Sequence, residues 1–357
     1  MKNNLLKAVD FFCGGGGMSY GLQNAGIQIL AGIDYEISCK ETYEANIKNA
    51  KFIHANVFEL TEKELESTLN LSKNDDDLIL IGCSPCQYWS VIQTSKKKSE
   101  QSKNLLSEFQ RFVEYFTPGY VVVENVPGVF NRRKESGLDV FIEKLESLGY
   151  VVHFDIHNTK KYGVPQSRKR FTLVANRVTE DKLEPIELQD KVLTVRDVLG
   201  VENGFPKIPA GYQDGSDYMH SCAGLSEINL QRLKLIPKDG GNRSAFADCP
   251  DLQLKCFIGK DDSFKDTFGR LWWDRPAPTI TTKFFSISNG RFVHPEEDRA
   301  LSLREGATLQ SFPKTYVFKA NSRDKIARLI GNAVPPKYAE QIGKSIVYNT
   351  YKAKYGE

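Results

Sequence analysis

From the start of the chain to about Asn176, short apolar runs alternate with amphipathic segments, the pattern of a parallel sheet covered by helices. The runs predict strands at Leu5 to Phe12, Ile27 to Ile33, Phe52 to His54, Leu78 to Ile81, Tyr120 to Glu124, Val151 to Ile156 and Phe171 to Ala175. Between them, Leu105, Phe109, Phe112, Val113 and Phe116 share one helical face, as do Leu138, Phe141, Ile142, Leu145 and Leu148. Thr61 and Glu64 have the spacing of a capping box. After Asn176 the alternation stops, and Pro185, Pro206, Pro209, Gly211, Gly215, Pro237, Gly240 and Gly241 punctuate an irregular stretch. Its apolar residues continue through Trp272 and Trp273, which predicts a small folded region rather than a disordered linker. A helical pattern resumes at Asp324, breaks at Pro335 and Pro336, and runs to the end, where the last helix is expected to return to the first domain. The expected fold is α/β, a doubly wound Rossmann-like domain over residues 1–178 and 325–357 with a smaller, loop-rich domain over 179–324.

Composition narrows the classes. No stretch approaches the roughly 18 uncharged apolar residues of a membrane helix, and the opening MKNNLLKAVDFFC is too short for a signal peptide, so neither a membrane-spanning nor a secreted protein is expected. Seven cysteines without regular spacing exclude a full disulfide framework and favour a reducing cytoplasm. The net charge of +3 does not announce a nucleic-acid binder. Its distribution says more: Lys96, Lys97, Lys98 and Lys103 form one cluster, Arg132, Arg133 and Lys134 a second, and Lys160, Lys161, Arg168, Lys169 and Arg170 a third. A single lysine run usually marks a solvated loop; three clusters bordering the motifs below point to a polyanion-facing side.

The first strand runs into Asp10, Phe11, Phe12, Cys13 and Gly14, Gly15, Gly16, Gly17 before a helix near Met18. Glycines at such a turn let backbone approach a ligand, although a tight turn alone would use them equally well. Asp34, at the end of the second strand, can accept both hydroxyls of a ribose, so the ligand resembles a nucleoside. The fourth strand leads into Cys83, Ser84, Pro85, Cys86 and Gln87, open to three readings. A zinc half-site needs a second close pair, which Cys222, Cys249 and Cys256 do not form. A thiol-disulfide motif fits the spacing but has no use for the glycine loop. A nucleophile, Cys86, needs an acid nearby, and Glu124 after Val121, Val122 and Val123 lies at the same sheet edge, where partial burial favours proton donation.

At this point six segments stand in order: Phe12 to Gly17; Pro85, Cys86 and Gln87; Glu124, Asn125 and Val126; Gln166 to Arg170; Arg275 to Thr279; and Gly331 to Pro336. Their order and spacing resemble the motif set of the DNA (cytosine-5) methyltransferases of the prokaryotic restriction-modification type, across all but about Thr179 to Leu271, where that family keeps its variable target-recognition region. The resemblance implies S-adenosylmethionine as cofactor, S-adenosylhomocysteine as product, no metal, and double-stranded DNA as substrate. It further implies a monomeric, cytoplasmic bacterial enzyme that is nucleoid-associated when on DNA, with a cognate restriction endonuclease as a possible partner.

Residue by residue, the resemblance makes Cys86 the nucleophile at cytosine carbon 6 and Glu124 the group at ring nitrogen 3, with Arg170 on the cytosine carbonyl and Arg168 orienting the nucleophile's loop. It places Phe12 against adenine, Gly14, Gly15, Gly16 and Gly17 around the methionine part, and Asp34 on the ribose. Tyr35, Val57, Pro85, Leu105, Asn332 and Ala333 complete the cofactor set. Asn56 stands where the family commonly has an aspartate for the adenine amino group, and its side-chain carbonyl can still accept that bond. Gln87, Ser90, Lys96, Lys97, Lys98, Gln166 and Arg275 are the implied DNA contacts. Within the recognition region Arg232, Lys234, Asn242, Arg243, Lys255 and Lys260 are candidates for base readout, although for each a solvated surface position is the more common outcome. The RNA-methylating branch is the rival, because Cys256 to Lys260 partly matches its signature, and an inactive DNA-binding paralogue is another.

Overall fold

The computed structural model describes residues 6–85, 104–257 and 264–356. It divides into two compact units, the first comprising Met1–Tyr162, Lys169–Leu188 and Val334–Glu357, the second Gly163–Arg168 and Gln189–Ala333. Residues 179–188 therefore belong to the first unit, and 163–168 and 325–333 to the second, the reverse of the boundaries drawn from sequence texture. Hydrogen bonds explain the first reassignment: Asn349 donates to Thr179 at 2.7 Å and Lys352 to Asp181 at 2.8 Å.

The first unit is built on a seven-stranded sheet of order β3-β2-β1-β4-β5-β7-β6. The strands are β1 (Lys7–Phe11), β2 (Gln28–Asp34), β3 (Lys51–His54), β4 (Leu78–Gly82), β5 (Tyr120–Asn125), β6 (Val151–Asn158) and β7 (Lys169–Asn176). All seven expected strands are present; the part of the first that falls on Leu5 lies outside the described residues. β1 pairs in parallel with β2 and β4, β2 with β3, and β4 with β5. The expectation of a parallel sheet fails at β7, which runs antiparallel to both β5 and β6. The connection from Asn158 to Lys169 is too short for the crossover of a dozen or more residues that a parallel return requires.

The principal helices are α1 (Gly17–Asn24), α2 (Lys40–Asn46), α3 (Glu62–Leu69), α4 (Leu105–Phe116), α5 (Leu138–Ser147), α6 (Glu227–Leu235), α7 (Leu303–Leu309), α8 (Arg323–Asn332) and α9 (Pro336–Tyr355). α3 starts with the Thr61 and Glu64 capping box read from the sequence. On one sheet face, Val9, Phe11, Leu80, Val121 and Leu173 pack with Phe109, Phe112 and Phe116 of α4 and Phe141 and Leu145 of α5. The buried face of α4 includes Leu106, while Leu105 is only half-buried. α9 returns to the first unit as expected and packs on α1 so closely that a Cβ at Gly21 would lie 2.4 Å from the Ala339 methyl.

The second unit has short helices, turns and isolated bridges among its described residues. Leu233, Ile236, Phe246, Phe268, Ile287 and Val293 form an apolar cluster in it. Arg270 is fully buried and donates to the carbonyls of Leu233, Ile236, His294 and Glu297. Arg304, 1% exposed, does the same for Asp217, Tyr218 and Tyr316. Buried guanidiniums thus satisfy the loop carbonyls that a strand ladder would otherwise pair.

Candidate active site

Register assembles the site. Phe11 pairs with Ile33 and with Gly82, and Ile81 with Val122, so Phe12, Asp34, Cys83 and Glu124 reach the carboxyl edge of the sheet together. The chain reverses its direction of strand addition between β1 and β4, and open α/β sheets bind ligands at such a switch point.

At the end of β1 the backbone turns sharply. Phe12 adopts φ 62°, costly for a residue with a side chain, and Gly14 and Gly16 follow at 52° and 86°. A Cβ built at Gly14 would meet no atom within 4 Å, so the loop leaves room for a ligand. The Gly14 N–H donates to Asp34 Oδ2 at 2.8 Å and the Glu36 N–H to Oδ1 at 2.8 Å. Burial raises the Asp34 carboxyl pKa, and these backbone bonds oppose the rise. A carboxylate offers about four acceptor directions, so Asp34 retains capacity for ribose hydroxyls. Beside it, an open groove of about 750 Å³ is lined by Tyr35, Ile53, His54, Ala55, Asn56 and Leu60 among others, within the range of small-molecule sites. The residues present fit a nucleoside-bearing cofactor such as S-adenosylmethionine.

Asn56 is more committed than its sequence suggests. Its carbonyl accepts the Phe58 N–H at 3.2 Å and its amide donates to Glu59 at 2.9 Å, so an adenine amino group must share that oxygen. Val57 is buried, Pro85 exposed and Leu105 half-buried. Asn332 and Ala333 end α8 in the second unit.

Glu124 is 6% exposed, as expected for a partly desolvated acid. Arg170 Nε lies 2.9 Å from its Oε1, and Arg170 Nη1 donates to the Lys169 carbonyl at 2.7 Å. The expectation that Arg170 serves the cytosine carbonyl is therefore incomplete, because this side chain also holds Glu124. Asn125, absent from the expected set, donates to the Ser84 carbonyl at 3.1 Å and to its hydroxyl at 3.2 Å, fixing the chain that leads to Pro85. The constrained sequence Glu-Asn-Val-Pro was the signal for it. Burial pushes the Cys83 thiol well above its ordinary pKa, with Glu124 and Asp10 adding to the rise, so this thiol stays protonated and inert. Cys86, Gln87, Ser90, Lys96, Lys97 and Lys98 lie outside the described residues.

Several polar and basic residues expected at DNA are engaged with other parts of the protein. Gln166 is fully buried, its amide donating to Leu309 and Gln310 and its carbonyl accepting from Ile280, so it holds the second unit together rather than facing DNA. Arg168, 3% exposed, donates to the carbonyls of Ile280 and Gly331 within that unit. Arg232 donates to Leu252 and Asn229, and Arg243 to Phe264, and both are buried, so they occupy neither the solvated surface position expected of them nor the base contact weighed against it. Lys161 pairs with Glu187 at 2.9 Å. Of the third basic cluster, Lys161 and Lys169 are exposed. Arg275 is also exposed, its guanidinium 4.6 Å from the Trp272 ring centroid. Lys234 and Lys255 are exposed, Asn242 accepts from Ser244, and Lys260 lies outside the described residues.

A switch-point glycine loop anchored to Asp34, with the buried Glu124 two strands away at the same sheet edge, is the arrangement expected of a nucleoside-cofactor group-transfer enzyme. Residues 6–348 match the family model of the C-5 cytosine-specific DNA methylases, and the chain belongs to that family. It is 38% identical to the Type II methylase M.HgiDII of Herpetosiphon aurantiacus, covering 95% of this chain and 94% of that one. Identity to the Type II methyltransferase M1.HphI of Haemophilus parahaemolyticus is 30%, over 96% and 87% of the two chains. In fold it is similar to a solved prophage-encoded protein of E. coli assigned as a DNA modification methyltransferase, at TM-score 0.73 and 20% identity, covering 96% and 99%. The activity is thus S-adenosylmethionine-dependent methylation of cytosine carbon 5 in DNA, and the rival RNA and inactive-paralogue readings are not favoured. No helix among the described residues is long and apolar enough to cross a membrane.

Replacing Asp34 by Ala is expected to weaken S-adenosylmethionine binding by about 1.5 to 3 kcal/mol, through loss of charge-assisted hydrogen bonds to the ribose and of the Gly14 anchor. Calorimetry in the absence of DNA measures it, and unchanged affinity would mean that the loop holds something else.

Proposed function

We propose that this chain methylates one cytosine within a specific double-stranded DNA sequence, flipped out of the duplex and held covalently by Cys86. The observation that carries the reading is the meeting at one sheet edge of the glycine loop, Asp34 and the buried Glu124, with the strand leading to Pro85 and Cys86 alongside. Carbon 5 of cytosine is a weak nucleophile. Addition of the Cys86 thiolate to carbon 6 pushes an electron pair into the ring, and Glu124 hydrogen-bonds or protonates nitrogen 3 to receive it. Arg170 fixes one oxygen of Glu124 for that contact and has further N–H groups for the cytosine carbonyl. Bound S-adenosylmethionine would supply the electrophilic methyl group, with Phe12, Gly14 and Asp34 holding its adenosine and methionine parts. Once carbon 5 is methylated, loss of its proton to a base re-forms the ring double bond and expels Cys86.

A stacked cytosine hides carbons 5 and 6, so flipping is required. Lys96, Lys97 and Lys98 would grip phosphates, and the second unit, with Arg275 beside Trp272, would read sequence. A monomer acting in a bacterial cytoplasm, alongside an endonuclease of the same specificity, completes the reading, in line with the Type II names of the relatives.

Bisulfite sequencing of DNA from cells expressing the chain tests this directly. Protected cytosines at one position of one recurring sequence are expected. Protection confined to RNA, or scattered without a common sequence, would overturn the proposal.

A further inference from the structure

Beneath the glycine loop lies a buried hydrogen-bond chain to which the reaction above assigns no part. Asp10 of β1, Ser19 of α1 and Tyr43 of α2 are each fully buried. Ser19 Oγ donates to Asp10 Oδ2 at 2.6 Å and lies 2.9 Å from the Tyr43 hydroxyl. A serine hydroxyl has one proton, and here it goes to Asp10, so Tyr43 must donate to Ser19. Both hydroxyls therefore point their protons toward the carboxylate, an arrangement that suits its ionised form. Tyr43 reaches this position because β2 carries Gly32 beneath it; a Cβ there would lie 2.3 Å from the tyrosine ring. The other oxygen, Asp10 Oδ1, is buried without a hydrogen-bond partner.

We propose that Tyr43 and Ser19 position Asp10 as an ionisable counter-charge of the cofactor site, so that binding S-adenosylmethionine and binding S-adenosylhomocysteine are accompanied by different numbers of protons. The inference rests on the methyltransferase reading of the glycine loop. Methyl transfer removes the positive charge of the sulfonium, so the two ligands differ by one unit of charge at the glycine loop that β1 leads into directly after Asp10. Among the described residues, the ionisable groups that interact electrostatically with Asp10 include Asp34 at the end of β2, Cys13 in the loop and Cys83 after β4, with Tyr43 joined to it through Ser19. Burial holds both thiols protonated, which leaves Asp34 as the neighbouring anion, and its charge disfavours a second one. Burial, opposed by the Ser19 bonds, brings Asp10 up to about 7. Asp10 thus stands where a nearby cation decides whether it keeps its proton.

The sign follows. The cationic cofactor favours the Asp10 anion and expels a proton, whereas the product leaves the proton in place. As pH falls below about 7, affinity for S-adenosylmethionine should drop relative to that for S-adenosylhomocysteine, by at most tenfold per pH unit. Tyr43→Phe keeps the ring over Gly32 and removes the donated proton, so the pH of half-effect should move upward.

Calorimetry of both ligands with the full chain, in buffers of unlike ionisation enthalpy between pH 6 and 8, counts the protons. More proton release is expected with S-adenosylmethionine than with S-adenosylhomocysteine, and Asp10→Asn should abolish the difference beyond what the ligands' own amino groups contribute. A purely structural role would weaken both ligands equally at every pH. Equal proton counts in the wild-type chain would overturn the proposal, with no variant needed. A difference that persists in Asp10→Asn, or a Tyr43→Phe profile that does not move, would overturn it too. If the wild-type chain bound neither ligand, the cofactor reading itself would fall, an outcome distinct from binding both with equal proton counts.

Discussion

DNA carrying 5-fluorocytosine at the methylated position is expected to remain bonded to the wild-type chain through denaturing electrophoresis, and to show no such band with Cys86→Ser. Carbon 5 must lose its substituent as a cation before Cys86 can leave, and fluorine cannot depart that way. The stable adduct should therefore require S-adenosylmethionine. Cys83→Ser should trap normally, because burial and the charges of Glu124 and Asp10 keep that thiol protonated. Glu124→Gln retains the shape of the site and its partner Arg170 but cannot deliver a proton to nitrogen 3. A loss of about 10²- to 10⁴-fold in methylation rate is expected, with cofactor affinity retained because Asp34 and the glycine loop are untouched. Trapping that persisted in Cys86→Ser and vanished in Cys83→Ser would move the nucleophile.

The strands were legible because short β-rich apolar runs bounded by glycine and polar turns have few alternatives, and the α4 and α5 faces because the period of 3.6 repeats over whole helices. Strand direction was not legible. The apolar run from Phe171 to Ala175 reads identically either way, and only the length of the connection before it speaks for the antiparallel β7. In the site, Asp34 and Glu124 were placed by their position at strand ends, a local property. Their partners were not, since Arg170 meets Glu124 across a sheet and Tyr43 meets Ser19 through a gap left by Gly32. The larger misreading concerns cations and amides. Residue type alone does not tell an arginine that faces phosphate from one whose guanidinium satisfies loop carbonyls, and Arg232 and Arg243 proved to be the latter. A unit with few regular backbone ladders has many carbonyls to satisfy, so its basic residues are the first place to expect this.

Breaking the most buried of these charges should unfold the second unit while sparing the first. Arg299 and Glu305 are both fully buried, joined by hydrogen bonds of 2.7 and 2.8 Å. Glu305 also closes the capping box of α7, accepting the Ser302 N–H at 2.7 Å. Glu305→Ala leaves the guanidinium with Glu297 as its remaining carboxylate, at 3.0 Å, and opens the helix cap. Removing one partner of a buried pair costs about 3–5 kcal/mol, and losing the cap about 1 more. Burial alone would raise the Glu305 pKa, but Arg299 overcomes it and lowers it to about 2. The pair's contribution is therefore present above the ordinary glutamate value and lost only as pH falls toward 2. At neutral pH the variant should unfold at lower denaturant when followed by tryptophan fluorescence in a Trp89→Phe background, since the other two tryptophans, Trp272 and Trp273, both lie in the second unit. S-adenosylmethionine binding should persist, weakened by the loss of Asn332 and Ala333, at denaturant concentrations that already unfold the second unit, because the glycine loop and Asp34 belong to the first. Loss of cofactor binding in step with the tryptophan signal would show that the two units fold as one, and a destabilisation below about 1 kcal/mol would show that Glu297 alone compensates the Arg299 charge.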